Sequence, residues 1–394
     1  MKFKKLAAIC LAVLLSALSA VSASGAAALP IAEDRSPYVS ADAALTLDCV
    51  SAVLMDAKTG EILLAKNENE ALPPASVTKI MTLLLVMEAV DEGRIALSDT
   101  VTVSERAAAM GGSQVYLKVG EAMSVEEMLK CVVIASANDC AVALAEHVAG
   151  SEAAFVALMN ERAAELGMAS THFENTNGLD DTVTNHVTSA LDIALMSRAL
   201  IAHPKILEYS GIWQDTIRDG AFGLTNTNRL VRFYRGCTGL KTGSTARAKF
   251  CMSATAERDG VSLIAVIMAA PTRDARNNAA AALLDYGFAN YTTMAAEGAC
   301  IELPVLGAAC ESVKLTYQPF FKTIPKGSEG RVERKLELPE ALTAPIGAGD
   351  TVGRVTYTLD GELLGEVPVI AASDVVRLRF GTLLLSMLRA FALR

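Results

Sequence analysis

Histidine is scarce in this chain of 394 residues: there are four, His147, His172, His186 and His203, and they are scattered. None forms an H-E-x-x-H pair or a paired Cys/His pattern, so no metal site is expected. A surplus of positive charge is missing too. Lys and Arg number 35 against 44 Asp and Glu, a net charge of -9. That balance argues against nucleic acid as a partner, because a surface that binds phosphates is ordinarily basic. Neither apolar stretch near the two ends, 6–15 and 380–388, reaches the roughly 20 residues that span a bilayer as a helix. No internal repeat or low-complexity segment interrupts the mature chain.

The ends carry instructions of their own. Met1-Lys2-Phe3-Lys4-Lys5, the apolar run behind it and the small residues Val21-Ser22-Ala23 read as a Sec signal peptide within 1–28, cleaved after Ala23 or within 24–28. The mature protein is therefore expected to be exported and to work on the outer face of the cytoplasmic membrane. Of eight cysteines, Cys10 lies in the leader. The odd remainder leaves at least one free thiol or an intermolecular bridge, and buried free thiols are the alternative to any pairing. At the other end, residues 374–394 interleave Val375, Leu378, Phe380, Leu384 and Leu388 with Arg377, Arg379, Arg389 and Arg394. The pattern fits a cationic amphipathic helix lying on a membrane surface; a helix packed on its own domain is the alternative.

Between the ends, 29–45 reads as a linker. Strands are expected at 50–55 and 61–65, joined by the turn-forming Asp56-Ala57-Lys58-Thr59-Gly60, followed by an apolar helix from residue 80. The pattern is mostly helical over 125–202, a hairpin of two core strands follows at 250–256 and 261–269, and 277–286 returns to helix. Strand, helices, strands and helix on one core make an α+β fold over 46–292. Short strands at 301–305, 312–317, 331–338, 351–359 and 363–370 then imply a small all-β domain over 293–373, with Asp360-Gly361 as a hairpin turn.

Three short motifs carry chemistry. Ser76-Val77-Thr78-Lys79 follows Pro73-Pro74, which cannot sit inside a helix, and precedes residues apolar on every side, which marks a buried helix. Positions i and i+3 share a helix face, so Ser76 and Lys79 can touch near the positive helix start. A serine there is often no more than a cap. The chain holds no other Ser-x-x-Lys, and Ser136-Ala137-Asn138 is its sole Ser-x-Asn. Lys241-Thr242-Gly243 comes last, leading into a strand. A second Lys-Thr-Gly at Lys58 falls before Ser76, inside a hairpin turn, and reads as turn chemistry.

In this order the set resembles that of the penicillin-binding proteins and the active-site serine β-lactamases. Pro74 to Thr82, Asn177-Gly178-Leu179 and Gly349-Asp350-Thr351-Val352-Gly353 are similar to the low-molecular-mass, serine-type D-alanyl-D-alanine carboxypeptidases, and the likeness covers nearly the whole mature chain. It implies a β-lactamase/transpeptidase-like domain with an antiparallel sheet and helices, then the β-domain and the terminal helix. It also implies removal of the terminal D-alanine from peptidoglycan stem peptides, with β-lactams as inhibitors and no cofactor. On this reading Ser76 attacks the penultimate carbonyl, and Lys79 takes its proton once burial and Lys241 lower its pKa. Ser136 passes a proton to the leaving amine, while Asn138 orients Lys79 and holds the substrate amide. The N–H groups of Ser76 and Ser244 form an oxyanion hole, and Lys241, Thr242 and Gly243 face the terminal carboxylate. Arg276 adds charge there by the same analogy; a solvated arginine opening a helix is its alternative.

The chain departs from the family pattern in places. Ala137 stands where class A β-lactamases have Asp, no Glu-x-x-Leu-Asn element exists, and Lys249-Phe250 replaces a Gly-Tyr pair. Slow release of penicillins is the expected result. The rival activities are a D,D-endopeptidase, a β-lactamase or an esterase on the same scaffold, and outside catalysis a silent cell-wall binding protein.

Overall fold

The computed structural model describes residues 39–40, 45–181 and 183–381. The expected signal peptide, most of the linker and residues 382–394 of the expected terminal helix lie outside them. The N-terminal domain is organised by one sheet, whose first strands are β1 (Val39–Ser40), β2 (Ser51–Asp56) and β3 (Ile62–Lys66). Two small hairpins intervene, β4 (Thr100–Thr102) with β5 (Ala122–Ser124) and β6 (Gln214–Ile217) with β7 (Phe222–Thr225). The sheet resumes with β8 (Cys237–Thr245), β9 (Lys249–Arg258) and β10 (Val261–Ala270). Its spatial order is β1-β3-β2-β10-β9-β8, antiparallel throughout except for β1 on β3.

Both faces of this sheet are covered, which is why its central strands run apolar instead of alternating. Val53 and Met55 of β2, with Ile264, Val266 and Met268 of β10, join the larger core. That core is completed by helices α1 (Lys79–Asp91), α2 (Asn138–Ala149), α3 (Glu152–Glu165) and α4 (Ala190–Ile201). Ala52, Leu54, Leu263, Ala265 and Ile267 point the other way, against Ala280, Leu283 and Leu284 of α5 (Arg273–Asn290). Each such leucine contributes about 2 kcal/mol by leaving water. Helix α1 is buried almost all round, from Lys79 to Ala89, so its two ends cannot shift without disturbing the core.

The expectation of helix across 125–202 holds only in part. Residues 168–181 and 183–189 are irregular and tied by single bridges, Leu72 to Thr188 and His172 to Val187. Their asparagines serve the backbone locally: Asn175 Oδ1 accepts the Gly178 N–H at 2.7 Å and Asn177 Oδ1 that of Leu179 at 2.9 Å. Side chains that satisfy backbone donors in this way compete with helix formation.

The second domain begins where α5 ends. β11 (Tyr291–Ala296) pairs with β14 (Phe320–Pro325), while β12 (Ala299–Leu306), β13 (Ser312–Tyr317), β15 (Val332–Glu337), β16 (Leu342–Thr343), β17 (Thr351–Leu359) and β18 (Glu362–Ala371) form one sheet of order β15-β17-β18-β13-β12-β16. Asp360 and Gly361 turn β17 into β18 with φ of 52° and 88°, the left-handed pair that a two-residue hairpin of this type demands. Residues 374–379 correct the expectation of a helix from 374: Val375 bridges Ile346, Arg377 bridges Ala308, and the buried Val375 side chain anchors an extended segment. Among the described residues no single helix is long and apolar enough to cross a membrane. Cys131, Cys140, Cys237, Cys251, Cys300 and Cys310 are free thiols.

The two domains meet at the turn after β2. Thr293 donates to Asp56 Oδ2 at 2.6 Å, Thr59 and Thr323 share a hydroxyl hydrogen bond of 3.0 Å, and Lys322 lies 3.4 Å from Glu61. The early Lys-Thr-Gly copy therefore belongs to a joint between domains.

Candidate active site

The first partners come from one turn of chain. Ser76 lies in the short 3-10 segment Ala75–Thr78 that leads into α1, and Lys79 opens the helix. Lys79 Nζ donates to Ser76 Oγ at 2.9 Å and to the Asn177 carbonyl at 2.7 Å. Ala75 carries φ of 47°, a left-handed conformation that costs a non-glycine residue roughly 1–2 kcal/mol. Gly178 makes room for it: a Cβ at 178 would sit 1.8 Å from the Ala75 carbonyl oxygen.

A second segment arrives from the helical layer. Residues Cys131–Ala135 form a π-helical turn, and Ser136 leaves it with φ of 61°, a local irregularity of the kind found at functional sites. Asn138 then starts α2. Its Nδ2 donates to the Gly111 carbonyl at 2.7 Å and its own N–H to that of Ser113, while its Oδ1 is buried with no hydrogen-bond partner. The expectation that Asn138 orients Lys79 is thereby corrected. The Asn177 carbonyl does that work, from a loop that the sequence marked only through a family likeness, and Asn138 Oδ1 is left for another donor.

The sheet edge supplies the third part. Lys241 on β8 is 1% exposed and donates to Ser136 Oγ at 2.8 Å and to the Thr242 carbonyl at 2.9 Å. Thr242 Oγ1 donates to Thr227 Oγ1. Gly243 explains how β8 approaches Ser76 so closely: a Cβ there would lie 2.7 Å from the Pro74 carbonyl oxygen and 2.9 Å from the nitrogens of Ser76 and Val77. Ser244 follows on the same strand, opposite Phe250.

Three cations crowd this region with little to neutralise them. Burial holds Lys79 well below the ordinary lysine range, the charge of Lys241 adds to the effect, and Asp139 opposes it. Burial lowers Lys241 to about 7, helped by Arg276, and burial lowers Arg276 itself to about 10. Arg276 is thus a buried residue on the first turn of α5, bonded to Asn277 Oδ1 at 2.9 Å, and the alternative of a solvated arginine falls. Asp139 is fully buried and accepts the N–H groups of Val115, Leu117 and Cys140. It shapes the loop on which Gly111 and Ser113 meet Asn138. The sequence offered one signal for it, an acidic residue entering an apolar helix directly behind Ser136-Ala137-Asn138. Thr227 carried no signal at all. Glu174 serves its own loop, with its Oε2 accepting the N–H groups of Thr184 and Asn185 at 2.9 and 3.0 Å. No cluster of His, Cys, Asp and Glu suited to a metal ion occurs among the described residues.

A serine hydrogen-bonded to a buried, deprotonation-prone lysine, with a second lysine on a second serine, is an arrangement for acyl transfer without histidine. The model of the peptidase S11 family, described as D-alanyl-D-alanine carboxypeptidase, matches residues 38–272. This chain belongs to that family. A second model, the C-terminal domain of penicillin-binding protein 5, matches residues 290–377. D-alanyl-D-alanine carboxypeptidase DacF of Bacillus subtilis (strain 168) is 41% identical, over 86% of this chain and 89% of its own length. DacC of Escherichia coli (strain K12) is 34% identical, over 84% and 85%. Among solved structures, penicillin binding protein 5 from Haemophilus influenzae shares 33% identity at a TM-score of 0.75, covering 84% of this chain and 99% of that one. Penicillin-binding protein D2 from Listeria monocytogenes, in its ampicillin-bound form, shares 32% identity at a TM-score of 0.57 over 62% of this chain and 99% of that one. The carboxypeptidase described here is a serine peptidase, hence a hydrolase, with an α/β transpeptidase-like domain followed by the all-β domain.

Proposed function

We propose that this carboxypeptidase removes the terminal D-alanine from peptidoglycan pentapeptide stems through an acyl-enzyme on Ser76, and that β-lactams acylate the same oxygen. The observation that carries the reading is the 2.9 Å bond between Ser76 Oγ and the Nζ of a fully buried Lys79. A lysine in that setting is available as a neutral base. It takes the Ser76 proton as Oγ attacks the carbonyl of the penultimate residue. The C–N bond then breaks as Ser136, held by Lys241, hands a proton to the departing amine of D-alanine and recovers one from the Lys79 ammonium, which returns both groups to their starting state. Water cleaves the ester in the second half-reaction.

The remaining groups sort by charge. Lys241, Thr242 and Arg276 offer positive and hydroxyl partners to the terminal carboxylate. The backbone N–H groups of Ser76 and Ser244 face the developing oxyanion across the gap left by Gly243, and the unpartnered Asn138 Oδ1 accepts the substrate amide N–H. The missing Glu-x-x-Leu-Asn element supports slow hydrolysis of acylated penicillin. The test is labelling of the full mature chain with a fluorescent penicillin. Wild type takes a stable label and Ser76→Ala takes none; label on Ser76→Ala sinks the proposal. Product analysis with a D-Ala-D-Ala-terminated peptide separates the carboxypeptidase from the endopeptidase, esterase and β-lactamase readings.

The substrate lies outside the cytoplasm, in keeping with the signal-like N-terminus. The arginine- and leucine-rich residues 374–394 are proposed to hold the enzyme to the membrane surface, a reading supported by the exposed Val376 and Phe380 at the base of the β-domain. Removing 374–394 is expected to shift the mature enzyme from the membrane to the soluble fraction on centrifugation.

A further inference from the structure

One histidine reaches the short segment that carries Ser76. His186 is 3% exposed and sits at the end of the irregular loop that also contributes the Asn177 carbonyl to Lys79. Its Nδ1 accepts the Glu174 N–H at 3.0 Å, so Nδ1 carries no proton. Its Nε2 lies 2.7 Å from Thr78 Oγ1. Thr78 has a single hydroxyl proton, and it donates that proton to the Ala75 carbonyl at 2.8 Å. Thr78 must therefore accept from His186, which makes the ring the neutral tautomer protonated at Nε2. Every donor in the chain Glu174 N–H, His186, Thr78, Ala75 carbonyl then has an acceptor.

The last link matters because of where it ends. Ala75 holds the left-handed φ that precedes Ser76, and a residue in that region persists only where its surroundings over-determine it. Two things do so here: the close approach of Gly178 and the hydrogen bond from Thr78. We infer that His186 is a positioning residue for acylation, a buried neutral strut that fixes the Ala75 carbonyl through Thr78 and so aims Ser76 Oγ at Lys79. One loop would then set both members of the reacting pair, Lys79 through the Asn177 carbonyl and Ser76 through His186. The surroundings keep the strut neutral. Burial lowers the ring to about 4, with His172 and Arg247 acting in the same direction and Glu174 and Asp180 against it. A proton added at Nδ1 would face the Glu174 N–H, donor against donor.

The inference rests on the proposed role of Ser76, and its test separates the two. Second-order acylation by a fluorescent penicillin is measured for the full mature chain and for His186→Phe, His186→Gln, Thr78→Val and the double variant His186→Phe/Thr78→Val, with a thermal unfolding midpoint for each. His186→Phe and Thr78→Val are each expected to slow acylation, by up to about 10²-fold for a displaced reacting group. The double variant should be no slower than the worse single one, because both break the same chain. His186→Gln, which restores an N–H donor toward Thr78, should recover most of the rate. Unchanged acylation in Thr78→Val, or losses that multiply in the double variant, overturn the inference while leaving Ser76 as the nucleophile. So does a fall in the unfolding midpoint with the acylation rate intact. Should His186→Phe fail to fold, Thr78→Val against wild type still decides. Absence of label on the wild type overturns both readings together.

Discussion

Lys58-Thr59-Gly60 and Lys241-Thr242-Gly243 are the same three residues in two settings. Lys58 is exposed, with its Nζ on the Gly260 carbonyl, and Thr59 spends its hydroxyl on Thr323 of the second domain. Lys241 is enclosed, its Nζ on Ser136 and its charge confronting Lys79 and Arg276. At the glycine the contrast sharpens. A Cβ on Gly60 would meet the movable guanidinium of Arg198 at 2.8 Å, whereas a Cβ on Gly243 would meet the backbone around Ser76. One copy joins domains and the other packs against the Ser76 turn and Ser136, and the difference comes from what each strand or turn packs against.

The strongest way to break this comparison is to remove each lysine in turn. Lys241→Ala is expected to slow penicillin acylation and peptide hydrolysis by about 10²–10³-fold, the scale of a lost charged partner in an active site, while Lys58→Ala stays within about twofold. Equal losses in steady-state assays would erase the distinction. The glycines come next. Gly243→Ala pushes β8 away from Ser76 and should cost on the order of 10²-fold in acylation. Gly60→Ala, at a φ of 78°, should lower stability by about 1 kcal/mol in a denaturant titration and leave the rate alone.

The smallest expected effect is a displacement of the pH profile. On the proposed mechanism Lys79 works as the free base, and Lys241 depresses its pKa; removing a like charge favours the protonated form. The acid limb of acylation by Lys241→Met should therefore move to higher pH. Lys241, at about 7, owes part of its depression to Arg276. Arg276→Gln lets it stay charged to higher pH, so the alkaline limb also moves up, by about one unit. Because the two lysines interact, each limb belongs to the pair. Stopped-flow acylation across the pH range checks both signs; a limb moving to lower pH contradicts the cation cluster.

Legibility followed distance along the chain. The Ser76–Lys79 contact is one helical turn, and the apolar residues after Lys79 foretold that the helix would be buried. The hairpin at Asp360-Gly361 was likewise readable, since its two left-handed residues are a local demand. Residues 168–181 and 183–189 depart from the helical expectation because their asparagines bond to nearby backbone in a way that periodicity does not register. The strand β11 went unread since it starts directly behind α5 with no turn residue between them. Asn138 was assigned to Lys79 through its motif, but its amide is taken by Gly111, a contact set by how the loop folds over Asp139.

By itself the sequence determined the Ser76–Lys79 contact, the order of the three motifs, the two-domain division and the family. Those rest on neighbours a few residues apart or on patterns that survive without coordinates. Tertiary structure alone decided which carbonyl holds Lys79 and how far the lysines are pushed toward neutrality. Burial and like-charge repulsion among Lys79, Lys241 and Arg276, with Asp139 opposing them, act through space, and the residues that bring them together belong to separate helices, a loop and a sheet edge.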